Sequence, residues 1–467
     1  MEPAAWGILA YVVLQLAIGF TIARRVKTEE DYLLAGRSLG PLMATMSIFA
    51  TWFGAETCIG AASAVYEEGL AGAASDPFGY AICIFLVGAV LAVPLAKRRL
   101  TTLADLFRDR YSVGVERIAA LLLAPTSLIW AAAQVKAFGH ILQATVPSLD
   151  LVVGTTIAAA VVITYTMSGG LFADSVTDLV QGTVLIAGLL VVGVLVVADV
   201  GGPSAAAAML DGEQLSMAVH GEGSGLLVTL EAWAIPICGS LVAQELIARV
   251  MAARSPEIAR RACFTASGIY LFVGLIPVAL GLMGASLLPG LDDSEQVLPL
   301  LAKEHLGTVF FVVFVGALVS AILSTVDTAL LVAGSLVTHN VVIPIARVTD
   351  ERMKLRISRI GVLCFGVLAY LFAISESFGS VHDMVETASA FGSAGIFVCT
   401  IFGLYSGHGG RLAGAACLLT GIGVYVAALL AESEIPFVLS LASSVVAFVV
   451  VGVYEKRATA VQAQPLV

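Results

Sequence analysis

Thirteen mainly apolar stretches, each close to the length that spans a bilayer, follow one another along the 467-residue chain, and no other feature limits its fold so severely. They cover residues 5–24, 38–65, 74–96, 115–143, 151–168, 172–200, 226–251, 262–289, 307–338, 357–376, 383–404, 411–432 and 436–455. In hydrocarbon every backbone N–H and C=O must find its partner inside the protein, so stretches of this length read as spanning helices. Charged residues make up 12% of the chain, half the roughly 25% of an ordinary soluble domain. That leaves too little polar surface to coat a water-soluble globule, and the chain is predicted to be an all-α polytopic membrane protein.

Orientation follows from the basic residues. With the N-terminus outside, 22 of the 24 Lys and Arg fall on the inner side, and only Lys136 and Lys303 do not. So consistent a bias predicts an outer N-terminus and a cytoplasmic C-terminus in the cell (inner) membrane. The net charge of −10 then lies largely in outer loops, at Glu67, Glu68, Asp211, Glu213, Glu222, Asp292, Asp293 and Glu295, where it solvates loops. The expected surroundings are a lipid bilayer, with no nucleic-acid partner.

Enzyme chemistry finds no support. HExxH, GxxxxGK[ST] and GxSxG are absent, and the seven cysteines show neither CxxC nor Cys/His spacing. The longest polar connections, 201–225, 290–306 and 339–356, are too short to fold alone.

The informative residues are the few polar ones inside the apolar stretches, since an ionisable group at mid-membrane costs roughly 2.5–3.5 kcal/mol on insertion scales. The second stretch places Gly54, Glu56, Thr57 and Gly60 at its centre. Glycine there costs about 1 kcal/mol relative to alanine, and with a buried carboxylate it predicts an unwound segment whose carbonyls are free to bind something. The ninth stretch concentrates Ser324, Thr325, Asp327 and Thr328 within little more than one turn, an oxygen-rich set suited to Na+. Hydroxyls turned back onto their own helix are the plainer reading. Asp174 and Asp178 stand at i and i+4 on one face of the sixth stretch, and Asp178, the deeper of the two, is a candidate cation or proton ligand.

These residues sit in a pattern that resembles the sodium/solute symporter family. The resemblance is carried by Leu34-Ala-Gly-Arg-Ser-Leu-Gly40 leading into Ala50-Thr-Trp-Phe-Gly-Ala-Glu56, by Tyr165-Thr-Met-Ser-Gly-Gly-Leu171 with Thr177-Asp-Leu-Val-Gln181, by Arg249-Val-Met-Ala-Ala-Arg254, and by Ser320 through Leu330. It covers about residues 31–410 in order. It implies a LeuT-like core of two inverted five-helix repeats whose first helices are broken. Residues 38–200 and 226–410 would be the repeats, joined by an outer loop at 201–225. Residues 1–37 would add one spanning helix and a cytoplasmic loop, and 411–467 two further helices and a tail.

Carried over by position, the resemblance implies a sodium site made from the carbonyls of Ala50, Phe53 and Ala321 and the hydroxyls of Ser324 and Thr325. Asp178 would lie on the inner cation path or at an additional sodium site. The solute would bind beside the sodium, between the second, third, fourth and seventh stretches. The seventh carries Pro236, Gly239 and Ser240 where sugar-transporting members place aromatic and amide residues, which argues against a sugar; Gly239, Ser240 and Gln244 are its candidate solute-binding residues. Similarity is nearer to choline-type members. Trp52, Tyr80 and Trp130 would form an aromatic cage for a methylated ammonium, with Glu56, Thr57 and Asp76 beside it and with Ala243 where a further aromatic is expected.

Lys136, six residues beyond Trp130, points the other way if it faces the cavity, toward a carboxylate solute; paired with Asp76 or turned outward it is structural. The expectation is a sodium-coupled symporter for an amino acid, betaine or quaternary amine, working as a monomer or weak homo-oligomer. A small carboxylate carried with sodium or protons, and a non-transporting sensor on the same scaffold, are the alternatives.

Overall fold

A computed structural model describes residues 3–23, 26–146, 148–210, 212, 214–217, 225–375 and 380–462. Asp211, Glu213 and Glu222 of the outer loop lie outside the described residues. Among those described the chain is helical with no strand; the one β-type contact is a two-residue parallel bridge, Leu39 to Ala253. Each of the thirteen apolar stretches falls on helix. Among the described residues, eight helices are long and apolar enough to cross a membrane singly, and ten spans result if each of two bent pairs counts as one. This is a multi-pass membrane protein.

Several joins between stretches are sharper than a sequence ruler can draw. Stretches five and six lie on one helix, Leu151–Asp199, which is interrupted at Gly170 with φ 58° and ψ −171°. A straight helix of that length would measure about 74 Å, more than twice the roughly 30 Å hydrocarbon core, so the break divides it into two lengths that each suffice. A Cβ at Gly170 would meet the Tyr32 ring at 2.5 Å and the Tyr32 carbonyl at 2.6 Å, so both conformation and close approach require glycine.

The breaks that matter for function lie mid-span. The helix Pro41–Trp52 ends at Phe53, whose ψ of 73° is non-helical, and helix resumes through Glu56–Gly60 and Ala61–Glu68. In the seventh stretch Leu226–Val242 and Gln244–Ala252 meet at a 43° bend, with Ala243 extended at ψ 123°. The second bent pair, Val381–Ala390 and Ser393–Tyr405, turns by 41° about Gly392. The second and seventh stretches are the two that the family resemblance implies to be broken, as the first helices of its two repeats.

Thr308–Val337, the ninth stretch, is buried without interruption from Val319 to Leu336. A helix that is covered on every side sits at the centre of a bundle, and its polar residues therefore face other helices rather than lipid. On the side predicted to be cytoplasmic, the two broken helices are tied together: Leu39 N donates to Ala252 O at 3.1 Å and Arg254 N to Leu39 O at 3.0 Å. Arg37 reinforces the tie by donating to the carbonyls of Arg99 and Leu100, both at 3.0 Å, and of Met251 at 3.3 Å.

Candidate functional site

The break at Phe53–Gly54 frees backbone groups that the rest of the bundle then satisfies. Gln134, on the helix Val113–Thr145, accepts from Ala55 N at 2.9 Å and donates to Glu56 Oε2 at 2.6 Å. Trp130 Nε1, one turn earlier on the same helix, donates to Glu56 Oε1 at 3.2 Å. One amide side chain thus holds both the unwound backbone and the carboxylate beside it. Gly54 is where these groups converge: a Cβ there would lie 2.5 Å from Glu56 Oε2, 2.7 Å from Thr325 Oγ1 and 2.9 Å from Gln134 Oε1.

Four of the five groups expected at the sodium site come together across the two helices. Ser324 Oγ donates to the carbonyls of Ala50 and Ala321, each at 2.8 Å, and Thr325 Oγ1 lies 3.5 Å from Ala50 O and 3.1 Å from Ala321 O. Thr325 also reaches Thr51 O at 2.9 Å. Phe53, the fifth, closes the preceding helix and contributes the distorted backbone. The set is neutral, and a monovalent ion held by the oxygen lone pairs, with the hydroxyl protons turned away, would meet several oxygens at once without the repulsion that several carboxylates would impose. Back-bonding to Ala321, the plainer reading of these hydroxyls, is present too, but it shares them with the second stretch.

Asp178 belongs to a separate layer. Ser47 Oγ donates to its Oδ2 at 2.5 Å, and the Arg249 guanidinium lies 3.3 Å from that oxygen and 2.5 Å from Asp174 Oδ2. Thr328 Oγ1 donates to Asp174 at 2.8 Å. Asp327 is buried in the same electrostatic neighbourhood. Oδ1 of Asp174, Oδ1 of Asp178 and Oδ2 of Asp327 have no hydrogen-bond partner. Three carboxylates thus surround one fully buried guanidinium. Isolated ions are too costly to bury, which explains why Arg249 is held so closely.

The aromatic residues also meet, in a way the sequence did not specify. Trp52 lies with its ring centroid 4.9 Å from that of Trp130 and 5.3 Å from that of Tyr80. Spaced this closely the rings pack on one another, forming a wall rather than an open cage. Trp52 and Trp130 face a small cavity with Gly239, Ser240, Ala243 and Ser389 opposite. Tyr80 stands behind, its hydroxyl 3.2 Å from Ser389 Oγ, and Ser240 Oγ donates to the same serine at 3.1 Å.

Asp76 and Thr57 form a neutral-donor cluster. Asp76 accepts from Thr57 Oγ1 at 2.7 Å and from the Tyr270 hydroxyl at 2.9 Å. These donors fill the place that pairing with Lys136 would have required, and Lys136, half-buried, is not among the residues lining the cavity. Gln244 is engaged elsewhere: its Oε1 accepts from Leu103 N at 2.6 Å, anchoring the start of the short helix Leu103–Arg110. Gln134, Tyr270 and Ser389 were not singled out from sequence. A lone amide four residues past Trp130 in an apolar helix was the available signal for Gln134.

The sequence profile of the sodium:solute symporter family matches residues 32–421. This chain belongs to that family. Among the symporter's relatives, high-affinity choline transporter 1 of Caenorhabditis elegans is 25% identical over 409 residues, covering 79% of this chain and 68% of its own. The corresponding Drosophila melanogaster protein is 24% identical over 389 residues, covering 79% of this chain and 61% of its own. The osmoregulated proline transporter of Bacillus subtilis is 25% identical over 399 residues, covering 82% and 80%. These relatives are transporters, not enzymes.

A Na+-coupled sialic acid symporter, solved substrate-bound and outward-open, superposes with a TM-score of 0.79 at 16% identity, covering 97% of this chain and 98% of its own. Mhp1, a nucleobase-cation-symport-1 family transporter in a closed conformation, does so at 0.61 and 17%, covering 93% and 96%. These likenesses identify the LeuT-type fold of the symporter.

Proposed function

We propose that this symporter imports a small ammonium-bearing solute, an amino acid, betaine or quaternary amine, by alternating access driven by Na+. The observation that carries the coupling is the meeting of Ser324 and Thr325 with the Ala50 carbonyl, because it makes ion binding depend on the separation of two helices. The cytoplasmic C-terminus in the cell (inner) membrane rests on the distribution of Lys and Arg. Inward movement of Na+ is favoured by about 2.3 kcal/mol per charge per 100 mV of negative-inside potential.

Gly54 supplies the link between ion and solute. Thr325 of the ion site and Glu56 and Gln134 of the solute side crowd the same point, so closing the oxygens of Ser324 and Thr325 on Na+ orders the carboxylate beside the aromatic wall. Linkage then requires sodium to tighten solute binding by the same factor that solute tightens sodium. An ammonium suits a wall of two indoles, where a desolvated cation gains about 2 kcal/mol. Glu56 and Asp76 add negative charge whose hydrogen bonds come from neutral donors. A carboxylate solute lacks a cation on the cavity wall to meet it. That choline and proline transporters are among the relatives agrees with an ammonium solute.

The test is uptake into proteoliposomes containing the purified protein, with radiolabelled choline, glycine betaine and proline. Accumulation against a gradient that is abolished when external Na+ is replaced by K+ is expected for at least one of them. Equilibration without accumulation, or accumulation unaffected by the replacement, refutes the proposal. The absence of any uptake would indicate a sensor.

A further inference from the structure

Glu245 takes no part in the arrangement above, yet it lines the same cavity as Trp52 and Trp130. It lies in the first turn of Gln244–Ala252, directly after the break in the seventh stretch, where Ala243 leaves the helix axis. Its side chain is 2% exposed, and Oε1 is buried with no hydrogen-bond partner. The groups facing it are Ser127, on the helix that carries Trp130, whose hydroxyl is near but makes no hydrogen bond of good geometry, and Arg249 one turn along its own helix. Arg249 does not neutralise it: that guanidinium is held by Asp174, Asp178 and Thr328. A buried carboxylate oxygen with no hydrogen-bond partner is expensive, and here it borders the cavity beside the aromatic wall.

The hydroxyls that line that space are already engaged in hydrogen bonds. Thr126 donates to Leu123 O at 2.6 Å, Ser240 to Ser389 Oγ at 3.1 Å, and Ser393 to Ser389 O at 2.6 Å, while Ser389 is paired with Tyr80. Among the described residues that line the cavity, the remaining donor is Trp52 Nε1, which is buried and unpartnered; the Ser127 hydroxyl, also unpartnered, faces Glu245 from outside that lining. One N–H can meet a hydroxyl, but it falls short of the several donors that an ionised carboxylate needs. The cavity therefore offers one anion, two aromatic faces and a single donor.

We infer that Glu245 is the counter-charge of this cavity, and that the solute it admits is an organic cation with no carboxylate of its own. This rests on the proposed function and narrows it, from ammonium compounds in general to those with a net positive charge. Glu245 acts as a specificity-determining residue: its free oxygen meets the ammonium while the indoles of Trp52 and Trp130 cover the apolar substituents.

Choline and its uncharged isostere 3,3-dimethylbutan-1-ol differ in little but charge, and make the test direct. Binding to the purified full-length protein in NaCl is followed by quenching of tryptophan fluorescence, with glycine betaine and proline as zwitterionic competitors. The wild type is expected to bind choline at least tenfold more tightly than the isostere. Glu245→Gln should weaken choline at least tenfold, leave the isostere unchanged and keep the thermal shift produced by Na+ alone; Glu245→Asp should retain most choline affinity. Choline affinity in Glu245→Gln within twofold of wild type overturns the inference. If that variant does not fold, the wild-type ratio decides, and equal affinities for choline and its isostere overturn it. Sodium-dependent uptake of proline or betaine but not choline refutes the inference while sparing the proposed function, whereas no sodium-dependent uptake of any ammonium compound refutes both.

Discussion

Gly54→Ala separates a built site from an imperfect helix, because the two predict opposite signs. If the second stretch were an ordinary helix weakened by glycine, alanine would strengthen it by about 1 kcal/mol. In the structure the new methyl would lie 2.5 Å from Glu56 Oε2, 2.7 Å from Thr325 Oγ1 and 2.9 Å from Gln134 Oε1, all inside contact distance. None of the three can withdraw freely. Glu56 is held by Gln134 and Trp130, Gln134 by Ala55 N, and Thr325 by carbonyls on both helices. Overpacking of this kind costs about 1–3 kcal/mol, and losing the Gln134 bond to Ala55 adds about 0.5–1.5 kcal/mol. The net cost exceeds the helical gain by about 1–3 kcal/mol, which at 1.4 kcal/mol per tenfold raises the sodium concentration for half-saturation about ten- to hundredfold. Sodium titration of thermal stability in the purified protein measures it directly. A variant more stable than wild type with unaltered sodium affinity would falsify the assignment of this break to ion binding.

Three further predictions follow from other parts of the molecule. Ser324→Ala and Thr325→Ala should each reduce sodium-dependent uptake at least tenfold with little change in membrane abundance; normal sodium dependence in both would exclude them as ligands. Arg249→Met leaves Asp174, Asp178 and Asp327 without their cation and should cost about 3–5 kcal/mol, seen as lost expression, with partial recovery when Asp174→Asn is added. Asp105 lies outside the spans, and although burial pushes its carboxyl up, the His339 imidazole, the Thr102 backbone and Arg108 outweigh this and hold it below its ordinary value of 3.8. The stability it contributes is therefore fully present above that value and is lost as pH falls through the lower, folded one. The Tm difference between wild type and Asp105→Asn should be constant between about pH 5 and pH 6, where the His339 imidazole stays protonated, and shrink below about pH 4; a difference that grows on acidification from about pH 5 contradicts this.

The fold was legible because hydrocarbon leaves a spanning segment few options, so each apolar stretch had to become helix. The break after Phe53 announced itself through Gly54. The one at Ala243 had only Pro236 and Gly239 nearby, and its position was not readable. Ser324 and Thr325 were legible as adjacent oxygens on one turn, and the Ala50 partner came through resemblance. Gln134 was not legible, since its role exists only once Ala55 and Glu56, 79 and 78 residues away, are folded against it. Glu245 was hidden for a related reason: in Gln-Glu-Leu-Ile-Ala-Arg it reads as one end of an i, i+4 ion pair, until the structure gives Arg249 to other carboxylates. Asp76 and Lys136 had opposite charges that sequence could pair freely, and packing instead gave Asp76 to Thr57 and Tyr270.

The bridge between Leu39 and Ala253 makes the protein its own reporter of state. The helices on either side of it are the two broken ones, so on the proposed orientation an opening toward the cytoplasm that separates them parts these lengths of backbone and releases the amides of Leu39 and Arg254 to water. Their hydrogen-exchange rates then count openings directly, without a label or a solute. An ion that holds the inner face shut lengthens the interval between openings, and a transported solute shortens it, so the two can be told apart before a single molecule has crossed.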